Sequence, residues 1–586
     1  MSDSIFVGPL ESLKKDGAKI VKEGNHGIAV FLHEGELHAV DNRCPHMGFP
    51  LHMGSLCDGI LTCHWHHARF DVKSGGTLDP WADDVPTYPV EVKDGEVWVE
   101  PVPHQKVTVE KLQRRLRDGL EQSISLVIGK AVVGLMEAGV SPGEIAKVGV
   151  EFGTKHRQSG WRSGLTILTG MTNILPKLDK TGQILALYQG LVHVARESSG
   201  MGTRFLLGSL PVTEEMENQS VDTLKKWYRH CVEVRDSQGA ERVLLTAIES
   251  GCSDEELADM MMVAITDHFY INTGHTLDFH NKAFEVLDHI GEEYRSYVLT
   301  SLLPGVSDVS RSEESHSWQS PVNLVTLLNE AFEKLPRILG AALTDDGTFD
   351  EEAMLEQLLS DEPNITVETM LRALETGVSP VRLSQLVALA AAERIARFHT
   401  QNDFSDWITV LHTFTHAHAV HQSLRRSTTA DLTRAVFHGA MSVYLDRFLN
   451  MPAARKPKPA EGISEPRNPS ELLELMDKQQ QVTESARWVM TYLSQGGEKA
   501  PLFNTLGHAL LREDAEFHSF QMYEAGIVEH DYWAKESSPL ANRAQETMIL
   551  AITRYLAGHA PTAREMPHTA RIAMRLHKGE KLFEEE

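Results

Sequence analysis

The sequence predicts a multidomain chain, with a small all-β domain followed by a large all-α, helix-repeat domain. Three observations carry this reading. Up to about residue 102, apolar residues alternate with polar ones between two-residue turn signals. Beyond residue 107 the alternation gives way to helical spacing of Leu, Ile and Val, as in "VTVEKLQRRLRDGLEQSISLVIGKAVVGLMEAG". Among the helices, a corner reading Glu-x-Gly-x-Ser recurs three times.

The β-domain reads in order. "GIAVFLHEGELHAVDN" is a hairpin with Gly35 in its turn, and "PVEVKDGEVWVE" is a second, with Val90, Val92, Val97 and Val99 alternating around Asp94-Gly95. Between them lies "CPHMGFPLHMGSLCDGILTCHWHHARFD", residues 44–71, which pairs Cys44 with His46 and, after sixteen residues, Cys63 with His66. Two thiols and two imidazoles suit a zinc site, a disulfide or an iron–sulfur cluster. Zinc motifs usually group Cys-x-x-Cys with His-x-x-x-His and do not mix the two within each pair.

The mixed pairs, with "ARFD" and "KSGG" following them, resemble the Rieske motif. That resemblance implies a [2Fe–2S] cluster, with Cys44 and Cys63 on one iron and His46 and His66 on the other. High-potential respiratory Rieske proteins carry an extra cysteine in each ligand loop, where this chain has Phe49 and Trp65. The resemblance is therefore to the ferredoxin and oxygenase type, toward the low end of roughly −150 to +300 mV. Cys57, between the pairs, reads as a free thiol.

The helical part is organised by "LMEAGVSPGEI", "AIESGCSDEEL" and "ALETGVSPVRL". Gly139, Gly251 and Gly377 suit a left-handed helix stop, and Ser141, Ser253 and Ser379 suit the next N-cap. Glu144 and Glu256 complete capping boxes, whereas Arg382 does not. These corners resemble those of alkylhydroperoxidase-like helical domains, without their Cys-x-x-Cys. The expected division is 1–104 for the β-domain, 107–450 for the helical repeats, 451–469 for a Pro-rich linker or loop, and 470–586 for a C-terminal helical segment packing on the helical domain.

Helical sequences that follow the three corners, with a fourth, cornerless match at 507–525, put Leu165, His275, His412 and His508 at one position. His412 and His416, Asp514 and His518, and His193 and Glu197 each stand four residues apart, the spacing of one helical face. Imidazoles and carboxylates projecting inward from helices are the means by which bundles hold non-haem iron. A single such histidine is more often a hydrogen-bonded core or surface residue than a ligand. "NTGHTLDFH" gives Asn272, His275 and His280 in a pattern similar to the Asp-x-x-His-x-x-x-x-His of Rieske oxygenase α-subunits, with Asn in place of the acid. "HTFTHAHAV" resembles questin-oxidase-like proteins, which implies oxygenation of an organic substrate.

A formal charge of −26 argues against binding a phosphate backbone, and no apolar run approaches the ~20 residues of a membrane span. Few cysteines without a framework point to the cytoplasm. No Gly-x-Gly-x-x-Gly loop follows a strand, so a separate reductase or ferredoxin is expected as electron donor. The expected function is a Rieske-cluster oxygenase passing electrons to a non-haem iron among the helices, where O2 and a small organic substrate react; a homo-oligomer is compatible with it. The alternative is a Rieske electron-transfer or redox-sensing module fused to a helical partner-docking scaffold. Haem bound by the helical histidines is a third view.

Overall fold

The computed structural model describes all residues except 1–3, 24–25, 106, 157–159, 212–218, 308, 341–348, 450, 461–466, 581 and 583–586. It divides into two compact units, 1–148 together with 565–586, and 149–564.

In the first unit, strands β1 (Ile5–Pro9), β9 (Val90–Lys93) and β10 (Glu96–Val99) form a sheet in the order β1-β10-β9. A second sheet runs β2-β3-β4-β8, from Ala18–Glu23, His26–His33, Glu36–Asp41 and Thr87–Tyr88. Both expected hairpins form, with Glu34-Gly35 and Asp94-Gly95 at positive φ as a two-residue turn between right-twisted strands requires. Alternation buries Ile28, Val30, Val97 and Val99 in one core. The small third sheet, β5 (Ser55–Cys57), β6 (Ile60–Thr62) and β7 (Arg69–Asp71), carries the cysteine–histidine segments on its connections. Gly75 fits this region for a steric reason: φ is +76°, and a Cβ there would meet the Val85 carbonyl oxygen at 2.0 Å.

The β-domain ends near the expected residue, but the compact unit does not. After α1 (Leu10–Asp16) within the β-domain, helices α2 (Val109–Glu121) and α3 (Ser125–Glu137) pack as an antiparallel pair beyond it. The terminal helix Glu565–His577 joins α3. The expected boundaries at 104–107 and 470–586 therefore differ from the observed units. Helical texture starts at 107, yet the first two helices belong with the sheets, and so does the last.

All three corners have the expected glycine stop and serine cap, and the second shows a complete capping box. Gly139, Gly251 and Gly377 have φ of 78°, 83° and 94°. Ser141 accepts from Glu144 N at 3.3 Å, Ser253 forms a full capping box with Glu256, and Ser379 caps Arg382 N at 3.2 Å. The first corner introduces α4 (Pro142–Thr154).

The second unit is helical. It includes α5 (Ser163–Ile174), α6 (Lys180–Ser198), α7 (His275–Ile290), α8 (Phe404–Arg426) and α9 (Phe517–Trp533), among others. Residues 461–466 of the expected linker lie outside the described residues. The preceding stretch is a strap and no free linker. Ala454 N donates to Arg397 O at 2.8 Å, Lys456 pairs with buried Glu393, and Ala460 N donates to Thr491 Oγ1 at 2.9 Å. Proline removes helical hydrogen bonds, and here those contacts replace them.

Candidate metal centres

The cysteine–histidine segments of the first unit fold as matched turns. Cys44 N donates to Phe49 O at 2.8 Å, and Gly48 N donates back to Cys44 O at 2.8 Å. The same offsets recur in the second loop, Cys63 N to Ala68 O at 2.8 Å and His67 N to Cys63 O at 3.0 Å. The fourth residue after each cysteine, Gly48 or His67, has positive φ. His67 in that role was not legible in the sequence, where only glycine signals it.

These turns bring Cys44 and Cys63 together, both buried and neither in a disulfide. The thiols hydrogen-bond, which pushes Cys44 up and is the first cause lowering Cys63 to about 6. The His46 and His66 rings meet edge-on, with centroids 4.9 Å apart. Burial pushes His46 down to about 4, with Lys130 and His66 adding to it. Its Nδ1 is buried with no hydrogen-bond partner. Two adjoining sulfurs and an orphaned buried imidazole nitrogen fit a [2Fe–2S] cluster with mixed ligands. His66 is exposed, whereas His46 packs against Trp81 at 4.7 Å.

Two matched loops offering two thiols and two imidazoles define an iron–sulfur protein of the electron-carrying kind. Residues 3–89 match the Rieske [2Fe-2S] domain. The chain is 39% identical to the 3-phenylpropionate/cinnamic acid dioxygenase ferredoxin subunit of Photorhabdus laumondii subsp. laumondii, over 16% of this chain and 91% of that protein. It is 35% identical to the ferredoxin component of the alkene monooxygenase system of Xanthobacter autotrophicus, over 14% of this chain and 70% of that one. Among solved structures, the ferredoxin of carbazole 1,9a-dioxygenase from Nocardioides aromaticivorans is 27% identical, covering 17% of this chain and all of that one, with a TM-score of 0.17. Through its N-terminal domain the chain belongs to the Rieske [2Fe–2S] family, and the domain implies that cluster.

In the second unit, His275, His412 and His518 come together from α7, α8 and α9, each with a ring nitrogen within 4.8 Å of the others. The Nε2 atoms of His412 and His518 are 3.0 Å apart, and the His275 and His412 rings are 4.4 Å apart. Burial lowers His275 to about 4 and His412 to about 2, and in each case the neighbouring imidazoles add to it. His275 and His412 are thus held neutral, as metal ligands must be. Glu516, at the N-cap of α9, accepts from His518 Nδ1 at 2.8 Å, which leaves Nε2 facing the other rings. His275 Nδ1 is buried without a partner.

The backbone entering His275 is unusual. Tyr270, Asn272, Thr273 and Gly274 all have positive φ, a costly conformation for residues with a Cβ. A Cβ on Gly274 would lie 2.8 Å from that of His416. Asn272, which stands where the oxygenase pattern has an acid, serves here as a left-handed backbone residue. That resemblance ends at the sequence.

The other expected ligands go elsewhere. His280 Nδ1 lies 2.7 Å from Thr276 O, on another face of α7. His416, one turn from His412, packs edge-on against Tyr270. His508 takes Asp179 at 2.9 Å, so of the aligned histidines His275 and His412 lie together and His508 does not. Glu197 accepts from Gly164 N at 2.8 Å, and His193 lies against Phe520. Asp514 precedes α9 and shares no helix with His518; its backbone N–H donates to Thr562 Oγ1, and it lines a cavity of about 460 Å³ with Phe404, Glu516 and His559. The Asp514–His518 pairing was wrong, though His518 itself belongs to the cluster.

Further along the same helices lies a buried ionic tier that the sequence reading missed. Lys282 Nζ bonds Glu285 and Glu524, each at 2.8 Å, and Asn173 Nδ2 donates to both carboxylates. His418 Nδ1 meets Glu529 at 2.8 Å and His421 joins it at 2.9 Å. Glu285, His418 and Glu524 also group closely enough for a cation, and the Lys282 ammonium bonds both of those carboxylates. A built-in cation is therefore the simpler balance for this pair.

Proposed function

We propose that the chain is a Rieske-cluster oxidoreductase whose helical unit holds a non-haem iron at His275, His412 and His518 and acts on a small organic substrate with O2. The observation that carries this reading is the convergence of three imidazoles from three helices, one of them oriented by a carboxylate. Bound iron would supply positions for O2 and a means of accepting electrons one at a time. The chain's own part is to hold the ring nitrogens in place, with Glu516 fixing the His518 tautomer. Phe279 and Phe517 flank His275 at 5.5 and 5.7 Å and supply an apolar wall. Relatives named as ferredoxin components of oxygenase systems support electron delivery as the role of the cluster. A separate reductase or ferredoxin supplies those electrons.

Reoxidation of the chemically reduced protein by O2 tests this reading. The Rieske spectrum should return quickly in the wild type and several-fold more slowly in His412→Ala at equal cluster content. Equal rates would favour the electron-transfer or scaffold alternative.

A further inference from the structure

The Rieske match ends at residue 89, yet charged groups from beyond it reach the first cluster loop. Lys130, on α3, donates from Nζ to the carbonyl of Pro45 at 2.9 Å, between the ligands Cys44 and His46. The same ammonium meets Asp83 Oδ2 at 2.6 Å. Arg115, on α2, donates to Asp83 Oδ1 at 2.6 Å and to Ala82 O at 2.8 Å. Asp83 follows closely on Trp81, whose ring packs on His46. The Lys130 and Arg115 side chains are only 13% and 17% exposed, so solvent screens them weakly. Two cations thus flank Asp83, and Asp118 is a second, longer partner of Arg115 at 3.8 Å, so the cation that meets the ligand loop itself is Lys130.

We propose that Lys130, Asp83 and Arg115 form a charge device that sets the reduction potential of the cluster from the helices outside the Rieske domain. Reduction adds one electron and no ligand, so the cluster gains one negative charge. A nearby fixed cation favours that state by Coulomb attraction, and a nearby anion opposes it. Lys130 is a positioning and tuning residue here, since its ammonium bonds the carbonyl between two ligands and Asp83, and not a ligand atom.

The charge arithmetic makes the test directional. Lys130→Met in the full-length holoprotein should lower the equilibrium constant for reduction by up to about tenfold, a fall of ~59 mV for a one-electron couple. Asp83→Asn should shift the potential upward. Lys130→Met combined with Asp83→Asn leaves the summed charge as in wild type and should return to within about threefold of it. Lys130→Arg should stay near wild type. Potentials would be read by spectroelectrochemical titration in samples with an intact Rieske EPR signal. Single variants that move the same way, or a double variant that stays as low as Lys130→Met, would overturn the proposal, because packing or the Pro45 hydrogen bond alone would then be responsible. Should Lys130→Met fail to hold its cluster, Asp83→Asn decides alone, and a potential that does not rise refutes the device.

Discussion

His412 and His518, 106 residues apart, bring their Nε2 atoms to 3.0 Å of each other. Burial keeps both His412 and its neighbour His275 neutral, with their rings edge-on, so their nitrogens are available as ligands. Zn2+ or Co2+ added to metal-stripped protein should fill this place. Co2+ gives a visible readout, and its absorption should be lost in His518→Ala. Glu516→Gln, which weakens the hold on Nδ1, should cost roughly 10–100-fold in affinity. Unchanged cobalt binding in both variants would remove these residues from the site.

In the Rieske domain, His46→Ala or His66→Ala should abolish the low-average-g EPR signal of the reduced protein. Sequence and structure agree there because cysteine and histidine at fixed local spacing sit on short loops, where neighbouring residues determine the turn.

The backbone before α7 allows a comparison of two glycines. Gly251→Ala meets no atom within 4 Å, so only the left-handed φ opposes it, at about 1 kcal/mol. Gly274→Ala adds a collision with the His416 Cβ at 2.8 Å, and overpacking of that kind costs ~1–3 kcal/mol more. Chemical denaturation of the second unit should therefore place Gly274→Ala clearly below Gly251→Ala. Equal stabilities would show that the local backbone relaxes.

Lys282 offers a larger effect. Lys282→Met leaves Glu285 and Glu524 buried without their ammonium, a loss of ~3–5 kcal/mol. Adding Glu524→Gln should recover part of it, because one unpaired charge is then removed. No recovery would indicate that volume, not charge, dominates.

Stability should also respond to pH through Asp446. Burial raises its carboxyl to about 8, against the Thr413 hydrogen bond and Arg394. A carboxyl raised in the folded state is most favourable while protonated. Its contribution is complete below the ordinary value of 3.8 and declines as pH rises toward about 8. Asp446→Asn should therefore flatten the loss between pH 4 and 8, by on the order of a few kcal/mol. A parallel pH profile in wild type and variant would contradict this.

What the sequence discloses follows the range of the interactions. The corners at Gly139, Gly251 and Gly377 are local, so cap chemistry revealed them. The left-handed residues Tyr270, Asn272, Thr273 and Gly274 were hidden, since distant contacts such as Asn272 N to Ser310 O select them. Lys282 and Glu285 have only an i,i+3 spacing to mark them, and it is the contacts with Asn173 of α5 and Glu524 of α9 that make a buried network of them. His275, His412 and His518 were each visible as candidates. Their grouping was not, because helix order along the chain says little about which helices adjoin.

Iron per chain tests the central claim most directly. Protein purified with a full complement of cluster should contain more than two irons, approaching three. His412→Ala should fall to two while keeping its Rieske EPR signal unchanged. Two irons in both proteins, with no further metal taken up on reconstitution, would contradict the account and leave the helical unit without its proposed centre.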